Sequence, residues 1–428
     1  MARSKQKSFT PQLVECVVEK LVHGGQGLGV TTEGKRVFAW NALPGERVVV
    51  QTSRSKSSYL EGIAVQVVQV SPERINPVDE AYLSTSPWQI MTLSAEHMYK
   101  QSILAETYAR EHVVYDRPIA MHGVQDTQAF HYRNKMEYSF WADDDGLHLA
   151  LFHRGSHGKR IVTGSSLAMP AVDAAAHKIL QVLVAAGIRG SQLKTVVLRA
   201  SQQSKVVAAL FVKDESFPNL APLANICQGI QVCFSNPKSP ASVLTRELYT
   251  YGSTELTDAI RGVDVRYNVH SFFQVNLPMF AQALDRMATA IGGQQAVDMY
   301  SGVGTIGLAV GGANVLVDSD AHNCSMARQN AAGTQVQVVE SPAERAVQHI
   351  DQNHVIIVDP PRAGLHSMVT ERIRTQLPPV VVYLSCNPIT QARDVALLQD
   401  VYTLELLEGY NFFPRTPHIE SLAILRRR

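Results

Sequence analysis

Near the end of the chain, "VVVYLSCNPIT" sets one thiol, Cys386, between an apolar run and an Asn-Pro turn. A free cysteine more often packs as a small hydrophobe than reacts. A core thiol belongs inside a strand, however, and this one falls where a buried strand ends. In open α/β sheets that edge is where ligands collect. Position therefore favours a nucleophile.

Other residues point to the same edge. In "VIIVDPPRAG", residues 355–364, a β-branched run delivers Asp359 to a strand end. Pro360 and Pro361 then stiffen the exit and remove two backbone donors. In "VDMYSGVGTIGLAV", residues 297–310, a strand ending at Asp298 runs into a turn with Gly302, Gly304 and Gly307. Such a turn lets a ligand approach the backbone closely. An acid before Gly-x-Gly fits a methyl-donor site better than a dinucleotide site. Twenty residues after Asp298, "VLVDSD" places Asp318 where a carboxylate can accept both hydroxyls of a ribose. Arg362, brought near Cys386 by the sheet topology, would favour the thiolate. Glu420 lies in "RTPHIESLAIL", ahead of a strand-like run. Alone it reads as a surface charge; in that pocket it would be a general base.

These groups need elements to hold them. The chain has 428 residues, a formal net charge of +1 and 18% charged residues, which suits a globular protein of two or three domains. With so little net charge, nucleic acid must be met by local patches. Five scattered cysteines without a CxxC pair argue against a disulfide framework and a cysteine-built metal site, and fit a reducing compartment. The basic start "MARSKQKSF" does not read as a signal peptide, and no apolar run reaches the ~18 residues of a membrane span. A cytoplasmic protein, off the membrane, is expected.

Short strands with glycine and proline turns predict a small closed barrel over residues 9–70, a form that many oligonucleotide binders use. Residues 71–265 read as an α+β central domain, helical over 92–120 behind a Ser-x-x-Glu-like cap. Residues 266–428 alternate strands, glycine turns and helices, a doubly wound α/β domain. The fold class is thus multidomain α/β. Basic and aromatic residues in "HYRNKMEYSFW" and "HRGSHGKR" suit phosphate contact and base stacking as well as a solvated face.

Taken together, "HYRNKMEY", "SFFQVN", "DMYSGVGTIGL", "DPPRAG", "SCNP" and "PHIES", in this order, resemble the S-adenosylmethionine-dependent RNA uracil-5 methyltransferases, over almost the whole chain. The resemblance implies an OB-like TRAM barrel, a central RNA-binding domain and a Rossmann-like class I methyltransferase domain. It implies cofactor contacts from Gln274, Tyr300, Gly302, Thr305, Asp318 and Asp359, with Cys386 as nucleophile and Glu420 as base. RNA contacts are implied for Arg133, Asn134, Lys135 and Arg362. The partner would be ribosomal or transfer RNA and the protein a monomer.

The chain departs from the family in one respect. Many members hold an iron–sulfur cluster on four cysteines; the matching positions here are Pro77, Leu83, Ser86 and Ser166, so no cluster and no metal are expected. Pro342 also stands where a polar cofactor contact would be. Two alternatives are an RNA cytosine-5 methyltransferase, which would want a cysteine after Asp359-Pro360, and a non-catalytic RNA chaperone, which would not need both Cys386 and Glu420.

Overall fold

The computed structural model describes residues 10–154 and 158–428. The start "MARSKQKSF", which carries the signal-peptide reading, and residues 155–157 of "HRGSHGKR", part of the basic-face expectation, lie outside them. The chain divides into two compact units, one running to Ile103 with Phe413–His418 added, the other Leu104–Phe412 with Ile419–Arg428.

In the first unit, five strands close a barrel: Leu13–Leu21, Gly27–Thr31, Arg36–Trp40, Arg47–Ser55 and Tyr59–Gln69. Alternate residues such as Cys16, Val18, Val37, Val48 and Val50 point inward and fill it, as a period-two pattern requires. The Leu93–Arg110 helix begins in this unit. The helix expected over 92–120 ends at Arg110. His112 turns into the left-handed region at φ 56, and Pro118 has no N–H with which to resume a helix.

The second unit contains two large sheets. Seven strands between Lys135–Asp143 and Arg246–Gly252 form a mostly antiparallel sheet, and the helix Pro170–Ala185 packs Val172, Ala176, Ile179 and Leu183 into the core against it.

The eight-stranded sheet positions the site. Its parallel part runs, in spatial order, Gln337–Glu340, Ala313–Asp318, Ala296–Met299, Val355–Val358 and Val380–Ser385. Glu420–Arg427 then pairs antiparallel with Val380–Ser385, and Tyr402–Tyr410 with Glu420–Arg427. Ala120–His122 closes the far edge, parallel to Tyr402–Tyr410. Val355–Val358 and Val380–Ser385 are buried throughout, which is why they read as unbroken apolar runs rather than alternating ones.

Candidate functional site at the carboxyl edge of the eight-stranded sheet

The parallel strands share a direction, so their ends line up. Val358 pairs with Met299 and with Tyr383, and Met299 with Val317. Asp318, Tyr300 and Asp359 therefore emerge along one edge. On the antiparallel side Ser385 pairs with Ser421, and the next residues on the two strands are Cys386 and Glu420. The pairing that sequence left to resemblance is thus a consequence of strand register.

The glycine turn follows Ala296–Met299. Asp298 lies inside that strand, not at its end. Its side chain is fully buried and Oδ2 accepts the Gly307 N–H at 2.8 Å, which ties strand to turn, while Oδ1 meets no partner. A Cβ on Gly307 would come within 2.5 Å of Leu316 Cδ2 and 3.0 Å of Asp298 Oδ2. Tyr300 adopts φ 76, a strained value for a bulky residue. Asp318 is tethered to the turn: Oδ2 accepts the Gly302 N–H at 2.9 Å and Oδ1 the Asp320 N–H at 2.9 Å. Thr305, buried, begins the helix Thr305–Val310. Beside the turn lies a cleft of about 500 Å³ whose lining includes Tyr300, Glu344, Pro361, Gly364 and His366. Of the predicted cofactor contacts only Tyr300 is in that lining. Pro342 precedes the short turn Ala343–Arg345, which brings Glu344 to the cleft.

The helix Pro388–Leu398 builds the loop around Arg362. Asn387 caps it, with Pro388 at its first position, the favoured arrangement for a helix start. Asn387 Nδ2 and Thr390 Oγ1 both donate to the Arg362 carbonyl, at 2.8 and 3.2 Å. Arg393 donates to the Ala363 carbonyl at 3.1 Å, and buried Asp394 accepts the Leu365 N–H at 2.8 Å and the Tyr383 hydroxyl at 2.9 Å.

Electrostatics make this edge unusual. Burial pushes the Asp359 carboxyl up to about 7. Asp298 is likewise raised to about 7, by burial and, secondarily, by Asp359 and Asp318. Glu420 is only 3% exposed, so it is no surface charge; burial, then Asp359, hold its carboxyl well above the ordinary range, against the opposing pull of Arg362. Cys386 is partly buried, and its thiol is pushed up to about 11 by burial, then by Glu420 and Asp359. Arg362 does pull toward the thiolate as expected, but it is outweighed. Several acids here are thus held toward their neutral forms, with one guanidinium among the groups that act on Cys386 and Glu420, and a cationic ligand would favour their ionised forms.

The Arg-Asn-Lys stretch divides. Asn134, 3% exposed, turns inward: its Nδ2 donates to the Gln274 carbonyl at 3.0 Å and its N–H to the Val275 carbonyl at 3.2 Å. Arg133 donates Nε to the Lys135 carbonyl at 3.0 Å. Lys135 is drawn down to about 8 by burial, then by Arg199. Arg199, which sequence reasoning missed, is buried and donates to the Ser271 and Phe273 carbonyls at 2.9 and 3.3 Å. Asn134 and Arg199 thereby fix the "SFFQVN" segment and the position of Gln274, whose own side chain is buried.

The positions where relatives would place cluster cysteines hold no ligand set. In the first unit, Pro77 and Leu83 are not ligands, and Ser86 Oγ accepts from Gln89 Nε2 at 2.6 Å. In the second unit the Ser166 carbonyl accepts the His131 N–H at 2.9 Å. Among the described residues no group of three or more His, Cys, Asp or Glu could hold a metal ion, and no helix is long and apolar enough to cross a membrane.

The chain is similar to known RNA methyltransferases. Residues 343–428 match the family model "tRNA (Uracil-5-)-methyltransferase", and residues 10–65 match the TRAM domain. A protein of Enterococcus faecalis described as an uncharacterized RNA methyltransferase is 27% identical over 451 residues, covering 97% of each chain. The tRNA (uracil(54)-C(5))-methyltransferase of Pyrococcus abyssi is 35% identical over 240 residues, 54% of this chain and 58% of that one. A crystal structure of the Pyrococcus abyssi tRNA (uracil-54, C5)-methyltransferase in complex with S-adenosyl-L-homocysteine superposes with a TM-score of 0.78. It covers 96% of this chain and 100% of that one at 23% identity, a likeness of fold. The family resemblance and the multidomain α/β fold class, with its barrel, are borne out.

Proposed function

We propose that this chain, an RNA methyltransferase with a TRAM domain and a C-terminal domain of the uracil-5 type, methylates carbon 5 of a uridine in ribosomal or transfer RNA through a covalent bond to Cys386. The observation that carries the reading is the placing of Cys386 and Glu420 as next residues on facing strands.

The residues present suit S-adenosylmethionine, which when bound supplies a methyl group on a positively charged sulfur. A Cβ at Gly302 would meet no atom within 4 Å, so the turn leaves open space. Asp318 presents a carboxylate beside it, and the raised acids Asp359, Asp298 and Glu420 favour a cation.

Carbon 5 of uracil is a weak nucleophile. Addition of the Cys386 thiolate to carbon 6 breaks the ring double bond and makes an enolate, whose carbon 5 takes the methyl group. Glu420 then removes the carbon 5 proton, the double bond re-forms and the thiolate leaves. Burial raises both the Cys386 thiol and the Glu420 carboxyl, so the thiol must give up its proton to attack and the carboxyl must be ionised to act as base, changes that a cationic ligand favours. A paired target must also be turned out of its stack, at a cost of a few kcal/mol.

The test is trapping. RNA carrying 5-fluorouridine should form a stable adduct in the presence of S-adenosylmethionine, because fluorine cannot leave as a proton does. Recovery of the modified peptide on a residue other than Cys386 would refute the mechanism. Mapping 5-methyluridine in RNA from cells with and without the gene identifies the target.

A further inference from the structure

The helix Pro388–Leu398 carries a fully buried glutamine, Gln391, that the chemistry above does not use. An apolar side chain would occupy such a position more cheaply, because a buried amide must recover the hydrogen bonds it made with water. Gln391 recovers four. Its Nε2 donates to the Tyr383 carbonyl at 2.8 Å and the Ser421 carbonyl at 3.0 Å. Its Oε1 accepts the Tyr108 hydroxyl at 2.8 Å and the Ser421 hydroxyl.

Three of the four bonds go to the two strands that carry the reacting groups, and the fourth goes to Tyr108 of the helix Leu93–Arg110. Tyr383 is three residues before Cys386, and Ser421 directly follows Glu420. The Ser385–Ser421 pair is the last rung of that ladder, so Cys386 and Glu420 stand just past it and no rung joins them to each other, although Glu420 is still paired with Tyr410 on its other side. Other residues of the same helix grip the Arg362 loop through Asn387, Thr390 and Arg393. One rigid element thus touches all three parts of the site.

We propose that Gln391 is a positioning residue that locks Glu420 against Cys386 at the open end of the strand pair. This rests on the methyltransferase reading above. Two of the four bonds go to Ser421 and one to Tyr383, so the lock bears more on the Glu420 carboxyl than on the thiol. Its loss slows removal of the carbon 5 proton more than attack on carbon 6.

The experiment compares the unaltered protein with Gln391→Leu, which keeps the size and removes the amide, on an RNA that contains the target uridine. A misplacement of about 1 Å can cost ~100-fold. The expected result is a fall in kcat of about 10- to 100-fold, with the KM for RNA nearly unchanged. A methylated RNA–protein adduct should also accumulate, absent from the unaltered enzyme. Ser421→Ala and Tyr108→Phe, each removing one hydroxyl that donates to Oε1, should give the same signature more weakly, and they decide the matter if Gln391→Leu does not fold. Activity that falls without adduct in any of the three variants would make Gln391 a packing residue and overturn the proposal. The 5-fluorouridine trap on unaltered protein separates the two claims. If no Cys386 adduct forms there, the reading of the reaction fails; if it forms and the variants show no accumulation, only the role of Gln391 fails.

Discussion

Two irregular segments of this protein are fixed in opposite ways. Residues 71–92 of the first unit are held by polar groups that satisfy one another. Gln89 accepts the Val78 and Asp79 N–H groups at 2.8 and 3.1 Å and donates to Asp79 and Ser86 at 3.1 and 2.6 Å. Arg74 pairs with buried Glu46 at 2.6 Å, and Trp88 donates to the Gly25 carbonyl at 3.0 Å. The sheet edge of the second unit is equally well anchored through its backbone, yet three acids in and beside its strands, Asp298, Asp359 and Glu420, are all raised, with burial outweighing any opposing partner. Matched polarity marks scaffolding; unmatched buried charge is tolerated where a ligand completes the balance.

The largest effect should come from the thiol. Cys386→Ala should bring turnover to background while RNA and cofactor affinities stay close to those of the parent, as judged by single-turnover methyl transfer and equilibrium binding. A variant that still methylates would place the nucleophile elsewhere and break the contrast between the two segments. Next in size is Glu420→Gln, which keeps the shape of the side chain and removes its basicity. A loss of about 10²–10⁴ in kcat with a methylated adduct building up on normal RNA is expected. A simple loss of cofactor binding would instead make Glu420 structural.

Much of this site was legible in the sequence because strand ends are. The β-branched runs before Asp359 and Cys386 fixed both residues to one edge, and the "NP" after Cys386 already carries the cap signal that places Asn387. Glu420 was legible only through family likeness; its burial follows from an antiparallel pairing that local pattern does not specify. Asp298 was misplaced by one position, because a buried acid inside a strand looks in sequence like an acid at its end. The same limit applies to Asn134, which reads as part of a basic stretch and faces inward, and to Arg199 and Gln391. A buried polar residue is recognised by its partners, and those are distant in the chain: Gln391 meets Tyr108, Tyr383 and Ser421.

For the first-unit segment the test is Gln89→Leu. It leaves the Val78 and Asp79 N–H groups and the Ser86 hydroxyl without their amide partner. Losing these bonds loosens a segment in which Ser86 is buried and Val78 exposed, so proteolytic cleavage within residues 71–92 should rise above that of the parent. Unchanged protection would show that packing around Trp88, not the amide, fixes the segment. Protein purified without oxygen should also contain no stoichiometric iron or acid-labile sulfide, since Pro77, Leu83, Ser86 and Ser166 offer no thiolate; finding both would require other ligands.

The smallest expected effect is the most specific to charge. Asp298 keeps its proton up to about pH 7 in the folded protein, whereas an unfolded aspartate loses it near pH 4. Between those values the folded state binds more protons than the unfolded one, so this group makes stability fall as pH rises across the window. Asp298→Asn removes that dependence but keeps an oxygen to accept the Gly307 N–H, the bond now made at 2.8 Å. At pH 5 the protonated acid and the amide are nearly isosteric, and the two proteins should melt within a few degrees of each other. By pH 8 the variant should have gained on the parent, because only the parent carries a buried anion whose Oδ1 has no partner. Asp359, raised to about 7 in its own right, is present in both proteins and cancels to first order in the difference. Urea unfolding at pH 5, 6, 7 and 8 measures that difference directly. A constant gap between the two proteins across the series would mean that Asp298 does not titrate in that range, and its carboxyl would not be among the raised acids of the sheet edge.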